Sequence, residues 1–346
     1  MKNKLEIYKK AILWIRENTI EDKGMTVTSK QKRVYPEVTG YYIPSLLEWG
    51  ERKIAVSYAE YLCTIQKKNG AWYDSNDKEP YVFDTAQILK GLISIRSIIP
   101  AVDENIIKGC NWLISNVEED GHLITPSRNA WGDDETFCSE LIHLYCLSPL
   151  VDAAEIYRNK KYKDIADKVK NYYITNYKNE IYNFNLLSHF YAYVIEGLID
   201  LGEVDIARDA MNNIKRYQSG NNGIPGLNNV KWVCSTGLFQ LALIWYKLGE
   251  LEEGNKIFNY ACSLQNKTGG WYGSYSGKFI KKIVVKKKKA YFPNQEISWA
   301  NKYFLDSLGY KERLEFEKQS TIFADRIQKE DGRYQLVKCE LNKIQN

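Results

Sequence analysis

The residues best suited to chemistry in this chain are acids that stand where helices begin. Glu37, Asp84, Glu296 and the run Asp133-Asp134-Glu135 each fall at the start of a strongly apolar stretch. Gathered at one apolar-walled mouth, such acids raise some of one another's pKa values by repulsion and desolvation. A protein obtains both an acid and a base at neutral pH in that way. Paired carboxylates suit glycosidic-bond chemistry. His189 and Tyr191 stand at a further start, and a His with a Tyr suits proton abstraction from a sugar carbon, as in a lyase or an epimerase. The candidate catalytic residues are therefore Asp134, His189, Asp84, Glu37, Tyr191 and Glu296. Tyr41, Trp131, Asp133, Glu135, Trp232, Trp299 and Lys287 are the candidates for holding substrate. Plainer readings stand beside these. An acid in a first turn complements the helix dipole, worth ~0.3–1 kcal/mol. His189 can be a satisfied core residue, His143 lies deep in an apolar run and reads as core, and His122 sits in a turn and reads as solvated.

The elements that must position these residues form a repeat. Segments leading into apolar helices carry Thr39, Thr85, Thr136, Ser188, Thr236 and Ser298, spaced by 46, 51, 52, 48 and 62 residues. A Ser or Thr before each apolar run is also what an N-cap looks like. Between these runs lie amphipathic stretches, roughly 3–18, 51–67, 103–117, 151–175, 203–218 and 251–265, with charges on one face. The inner set, such as Leu238-Phe-Gln-Leu-Ala-Leu-Ile-Trp-Tyr246, is apolar nearly all round and must be covered on every side. An inner ring of helices wrapped by an outer ring satisfies both patterns. The expected fold is all-α, an (α/α)6 toroid of helical hairpins around a central cavity, formed by residues 1–346 as one domain. An open solenoid is the alternative. A seventh helix near 311–328 would buttress the ring, and the long last step is filled by a lysine-rich, β-like insertion near 273–292.

Composition narrows the function further. Aromatic residues make up 13% of the chain, with 26 Tyr and 9 Trp, side chains that suit either helix packing or the wall of a wet cavity. The net charge of +5 is mild, and the aromatics are not interleaved with the lysines, which argues against nucleic acid as a partner. No stretch is long and apolar enough to span a bilayer, and the basic N-terminus leads into an amphipathic helix rather than a secretory signal. The seven cysteines are odd in number and form no CxxC pair, so they read as reduced thiols of a cytoplasmic protein. No Gly-rich phosphate loop, GxSxG or Ser-His-Asp order is present. No cofactor is called for. The three histidines have no Cys at ligand spacing, so no metal is expected.

Two turns share the pattern QxxxGxW, Gln66–Trp72 and Gln265–Trp271, with a weaker copy at Gln328–Tyr334. These units, followed by inner helices, resemble the prenyltransferase and squalene-cyclase repeat superfamily, whose members are α/α toroids. The resemblance implies a structural role for Gln66, Trp72, Gln265 and Trp271, which would tie outer helices together. With Tyr35-Pro-Glu-Val-Thr-Gly-Tyr-Tyr-Ile-Pro44 near its start, the chain looks like a squalene-cyclase-like family associated with bacterial capsule and exopolysaccharide biosynthesis. Ser188–Leu198 is similar to inner helices of unsaturated glucuronyl hydrolases and N-acylglucosamine epimerases. The chain departs from terpene cyclases in lacking Asp-x-Asp-Asp: Trp131-Gly-Asp-Asp-Glu135 has no first Asp, and the class I DDxxD pattern fails at Phe137.

The expected function is therefore carbohydrate-active, in surface-polysaccharide biosynthesis: a lyase, hydrolase or epimerase acting on an acidic sugar. A non-catalytic toroid binding glycan or protein, and a terpenoid or polyprenyl enzyme, are the alternatives. The run Lys278-Phe-Ile-Lys-Lys-Ile-Val-Val-Lys-Lys-Lys-Lys289 is either a solvated loop or an electropositive lip. As a lip it would attract an acidic glycan, a lipid-linked sugar or an anionic membrane surface.

Overall fold

The computed structural model describes residues 4–125, 139–276 and 290–331, with side chains placed as far as residue 321. Six inner helical segments follow one another around a ring. They are α2 (Pro36–Glu48), α4 (Val82–Ile95), a 3-10 segment (Glu140–Cys146) running into α6 (Ser148–Ile156), α9 (Ser188–Asp200), α11 (Ser235–Lys247) and the start of α13 (Ser298–Asp331). Each packs on the next, and α13 packs on α2, which closes the ring. Outside them lie α1 (Lys4–Asn18), α3 (Arg52–Ile65), α5 (Asp103–Ser115), α7 (Lys160–Asn176), α10 (Val204–Ile214) and α12 (Leu251–Ser263), with the short α8 (Lys178–Tyr182) after α7. The inner helices α4, α9 and α11 bury most of their residues, whereas α3, α7 and α12 bury only one face. The toroid expected from the repeat is the fold observed.

The two complete QxxxGxW turns do the same work twice. Gln66 Nε2 donates to Gly70 O at 2.9 Å and to Asn105 O of α5 at 2.9 Å. Gln265 Nε2 donates to Gly269 O at 3.0 Å and to Ile7 O of α1 at 2.9 Å, tying the last outer helix to the first. Trp72 and Trp271 donate from the indole to Leu62 O and Ala261 O at the ends of α3 and α12. Gly70 and Gly269 have φ of +96° and +100°, and a Cβ there would lie 2.3 Å from Lys108 O and 2.1 Å from Lys10 O. Only glycine fits a left-handed turn pressed that closely on a neighbouring helix.

Three expectations are corrected. The recurrent Ser and Thr are not N-caps: Tyr35, Tyr81 and Cys234 occupy those positions with no side-chain cap bond. Three of the hydroxyls sit inside the first turn and bind the incoming loops instead. Thr39 Oγ1 accepts from Met25 N, Thr85 Oγ1 accepts from Trp72 N, and Ser298 Oγ donates to Val27 O. The stretch 151–175 is not one outer helix, because α6 belongs to the inner ring and the outer helix begins at Lys160. Nor is there a separate seventh helix, since α13 runs unbroken through residue 331.

Small strands pair in the loops between helices. β1 (Thr19–Ile20) pairs with β2 (Gly24–Met25), and β3 (Val233–Cys234) pairs antiparallel with β4 (Ser274–Tyr275). The described start of the insertion is thus held by the strand before α11. Among the described residues no helix is long and apolar enough to cross a membrane, and five free cysteines are found, four of them buried.

Candidate active site at the helix N-termini

α2 and α4 cross unusually closely. A Cβ on Gly91 would lie 2.2 Å from Gly40 O, and one on Gly40 would lie 2.5 Å from Ile88 Cα. Nearer the starts of the same two helices stand two acids, Glu37 on α2 and Asp84 on α4. Both are buried, at 2% and 6% exposure. Tyr35 donates to Asp84 Oδ2 at 2.9 Å, and Trp299 of α13 donates from its indole to Glu37 Oε2 at 3.3 Å.

Burial pushes the Asp84 carboxyl up to about 7, against the opposing hydrogen bond from Tyr35, with Asp74 adding to the rise. Burial and then the charge of Asp84 hold Glu37 well above the usual carboxylate range, against the Trp299 bond and Lys302. Both acids lie in first turns, where the dipole favours the charged form. Desolvation and repulsion outweigh it. Both carboxyls are therefore harder to ionise than ordinary carboxyls.

One turn deeper, each inner segment contributes a polar side chain to the ring interior. Gln87 follows Phe83 by four residues on α4, Gln240 follows Thr236 on α11, and Tyr41, Tyr145, Tyr193 and Tyr303 complete the layer. The four phenols meet. Tyr41 OH is 2.9 Å from Tyr193 OH and 2.5 Å from Tyr303 OH, which is 3.1 Å from Tyr145 OH. A phenol has one proton, so Tyr41 donates to one neighbour and accepts from the other. Lys302 lies 3.8 Å and 4.0 Å from the ring centres of Tyr41 and Tyr303 and pairs with Asp306 at 2.6 Å. At this level the expected central cavity is filled by side chains. Among the described residues, both amide atoms of Gln87, Nε2 of Gln240 and the Thr236 hydroxyl have no hydrogen-bond partner.

His189 is buried at the top of α9. Its Nδ1 lies 2.6 Å from Gln240 Oε1 and its Nε2 lies 3.3 Å from Tyr193 OH. Burial lowers its pKa to about 3, so it is neutral at physiological pH. The phenol beside it is Tyr193, one helical turn on, and not Tyr191. Tyr191 turns outward and donates to Ile181 O at 2.7 Å. Counting i to i+4 along the helix would have found Tyr193.

Glu296 also leaves the catalytic group. Trp14 and Asn266 donate to its two oxygens at 2.7 and 2.8 Å, and Thr268 adds a third bond. Its carboxylate joins α1 and the second QxxxGxW turn to the sixth inner helix. Tyr41 belongs to the phenol layer rather than the rim. Trp299 reaches Glu37, and Trp232 packs against a small cluster of Leu187, Leu227 and Cys234 that Phe190 and Tyr291 also cover. Trp131, Asp133, Asp134, Glu135 and Lys287 lie outside the described residues. His143 is core, bonded to Tyr173 and Thr125, with its pKa lowered to about 4 by burial. His122 bonds Glu140 at 2.7 Å near the ring's edge. Among the described residues no three side chains converge as a metal site.

A closed double ring with its acids at the inner helix starts defines an α/α toroid. No protein-family profile matches the chain, and no curated protein matches it in sequence. Solved structures do match it in fold. One is described as a novel alpha-amylase from Clostridium perfringens, 16% identical, covering 90% of this chain and 99% of its own, with a TM-score of 0.65. An unsaturated glucuronyl hydrolase specific for heparin is 12% identical, covering 90% and 97%, with a TM-score of 0.63. The type II terpene cyclase MstE from Scytonema is 11% identical, covering 90% and 99%, with a TM-score of 0.59.

Proposed function

We propose that this toroid is a carbohydrate-active enzyme that cleaves a glycosidic bond, with Glu37 and Asp84 as its acid and base. The observation that carries this reading is the buried, coupled carboxyl pair at the mouth. A carboxyl that keeps its proton near pH 7 can protonate a leaving oxygen, and its ionised neighbour can activate water or stabilise positive charge at the sugar carbon. Trp299 and Trp232 supply flat apolar faces of the kind sugars stack on. Gln87 and Gln240 leave buried amide atoms unpartnered in the layer below the acids. The glucuronyl hydrolase and amylase of similar fold support the same substrate class. A role in surface-polysaccharide biosynthesis, on an acidic glycan or a lipid-linked sugar, belongs to this proposal. The lysine run 278–289 would then draw the anionic substrate, beside an anionic membrane surface, in the cytoplasm.

The terpenoid reading is the weaker. An ammonium already rests on the faces of Tyr41 and Tyr303, and it would repel a carbocation forming there. A toroid that binds glycan without turnover is the second reading, because the four phenols fill the ring below the acids.

The test is turnover of a panel of neutral and uronate-containing oligosaccharides by the protein and by Asp84→Asn and Glu37→Gln. Loss of about 10²–10⁴-fold in each variant, with melting temperature held, is the expected result. Binding without turnover in the unaltered protein would favour the second reading. Full activity in both variants would overturn the assignment of the pair. His189→Ala and Asp134→Asn extend the same assay to the remaining candidates.

A further inference from the structure

The side chains at the mouth are shut away from solvent. Glu37, Asp84 and His189 are 2%, 6% and 1% exposed, so a sugar chain reaches them only if part of the wall moves. On the His189 side the wall is the segment Ala290-Tyr-Phe-Pro-Asn294, which leads down into the sixth inner helix. Tyr291 packs on His189 and Phe190, with ring centres 5.9 and 6.3 Å apart. Phe292 packs on Trp299 at 6.2 Å, and the Trp299 indole is the group that bonds Glu37. Both rings are half-buried, whereas Pro293 and Asn294 are exposed.

The backbone of this segment is strained. Phe292 and Asn294 have φ of +40° and +59°. Asparagine tolerates the left-handed region, but a bulky aromatic residue is an outlier there. Such a conformation persists only while its surroundings hold it. The hold differs along the chain. From Gln295 onward it is firm: Gly273 N donates to Gln295 O, Ile297 N to Trp271 O and Ser298 N to Val27 O, each at 3.0 Å. Before Gln295, Pro293 bridges to Ser274 of β4, and Gln295 N reaches Phe292 O at a long 3.4 Å. The segment also presses on Gly273, where a Cβ would lie 2.6 Å from Phe292 Cβ and 2.7 Å from Tyr291 O. Glycine at that position is what lets it lie flat.

We infer that residues 290–294 are an aromatic strap closed over the mouth, which lifts from Gln295 to admit a sugar chain. Lifting releases the strain at Phe292 and uncovers His189 and Trp299 together. Its purpose rests on the reading of the mouth as the active site, but its movement does not.

The experiment labels the whole protein with diethyl pyrocarbonate, which places an ethoxycarbonyl group on an accessible imidazole. Peptide mass analysis follows each histidine separately. His143, also 1% exposed but set in the core away from the strap, is the internal standard. His189 is expected to be labelled faster than His143. Gly273→Ala props the strap up without removing either ring, and should speed labelling of His189 at least about tenfold while His143 is unchanged. Ser274→Cys with Pro293→Cys ties the strap down when oxidised to a disulfide. That form should label His189 as slowly as His143, and reduction should restore the rate. Equal labelling of His189 in Gly273→Ala and the unaltered protein would overturn the inference. So would an oxidised pair that labels as fast as its reduced form. If Gly273→Ala also speeds His143, the fold has loosened, and the oxidised and reduced forms of the second variant decide. Turnover is not measured, so the strap and the glycosidic reading fail separately.

Discussion

The same inner helices end in two different kinds of polar environment. At their N-termini Glu37 and Asp84 are buried and make no ion pair among the described residues. At their C-termini Lys247 holds Glu196 and Asp200, and Arg313 holds Glu48 at the end of α2. Helix dipoles favour acids at the first end and lysines at the second, so the sign of charge is right at both. Only the second end adds counter-ions. A dipole contributes about 0.3–1 kcal/mol, whereas each unit of pKa shift is about 1.4 kcal/mol. Asp84 rises from 3.8 to about 7, so burial there costs several times what the dipole returns.

The largest way to break this contrast is to remove the shared cation. Lys247→Met leaves Glu196, 3% exposed, without its partner. Losing one member of a buried pair costs about 3–5 kcal/mol, which urea unfolding would read directly. Glu196→Gln added to Lys247→Met should restore part of the loss. A cost below about 1 kcal/mol would mean that water, not Lys247, balances these acids.

The next effect runs with pH at the opposite end. Asp84 has a folded pKa above its unfolded one, so between about pH 4 and 7 the folded state binds the additional proton. Stability therefore falls as pH rises through that window, by up to about 4 kcal/mol if Asp84 acts alone. Glu37, also raised, contributes in the same direction. Thermal melts from pH 4.5 to 8.5 should show it, and Asp84→Asn should flatten the curve while raising stability at the alkaline end. An unaltered slope in the variant would place the linkage elsewhere.

Gly91→Ala follows in size. The new methyl would meet the Gly40 carbonyl at 2.2 Å, and both partners are backbone, so α2 and α4 must separate. Overpacking of this kind costs about 1–3 kcal/mol. Separation would also move Glu37 away from Asp84, so the alkaline loss of stability should become shallower. A destabilised variant with the original pH slope would show that repulsion between the two acids contributes little.

Much of this was legible in the residues alone because a repeat multiplies weak signals. The spacing of the Ser and Thr landmarks and the all-round apolar character of 238–246 determined the ring, and the two glycine turns determined the outer ties. Glu37 and Asp84 were visible as acids at helix starts. Their coupling was not, because it depends on Gly40 and Gly91, two glycines whose meaning appears only when α2 touches α4. Glu296 had the same local signature as Asp84 but is occupied by Trp14, 282 residues away in sequence. The phenol layer escaped for a related reason. Tyr41, Tyr145, Tyr193 and Tyr303 share no fixed offset from the landmarks, and only the closed ring brings their hydroxyls together.

That layer offers the smallest test. Tyr193→Phe keeps the ring against Tyr145 and Phe83 but removes the hydroxyl between Tyr41 and His189 Nε2. A single net hydrogen bond is worth about 0.5–1.5 kcal/mol. Tyr303→Phe should cost a similar amount. If the phenols act as one connected network, the double variant will cost less than the sum, since the first substitution has already left Tyr41 short of a partner. Strict additivity would reduce the layer to four independently packed rings. The mouth above would then owe its shape to helix crossing alone, and His189 would depend only on Gln240 for its orientation.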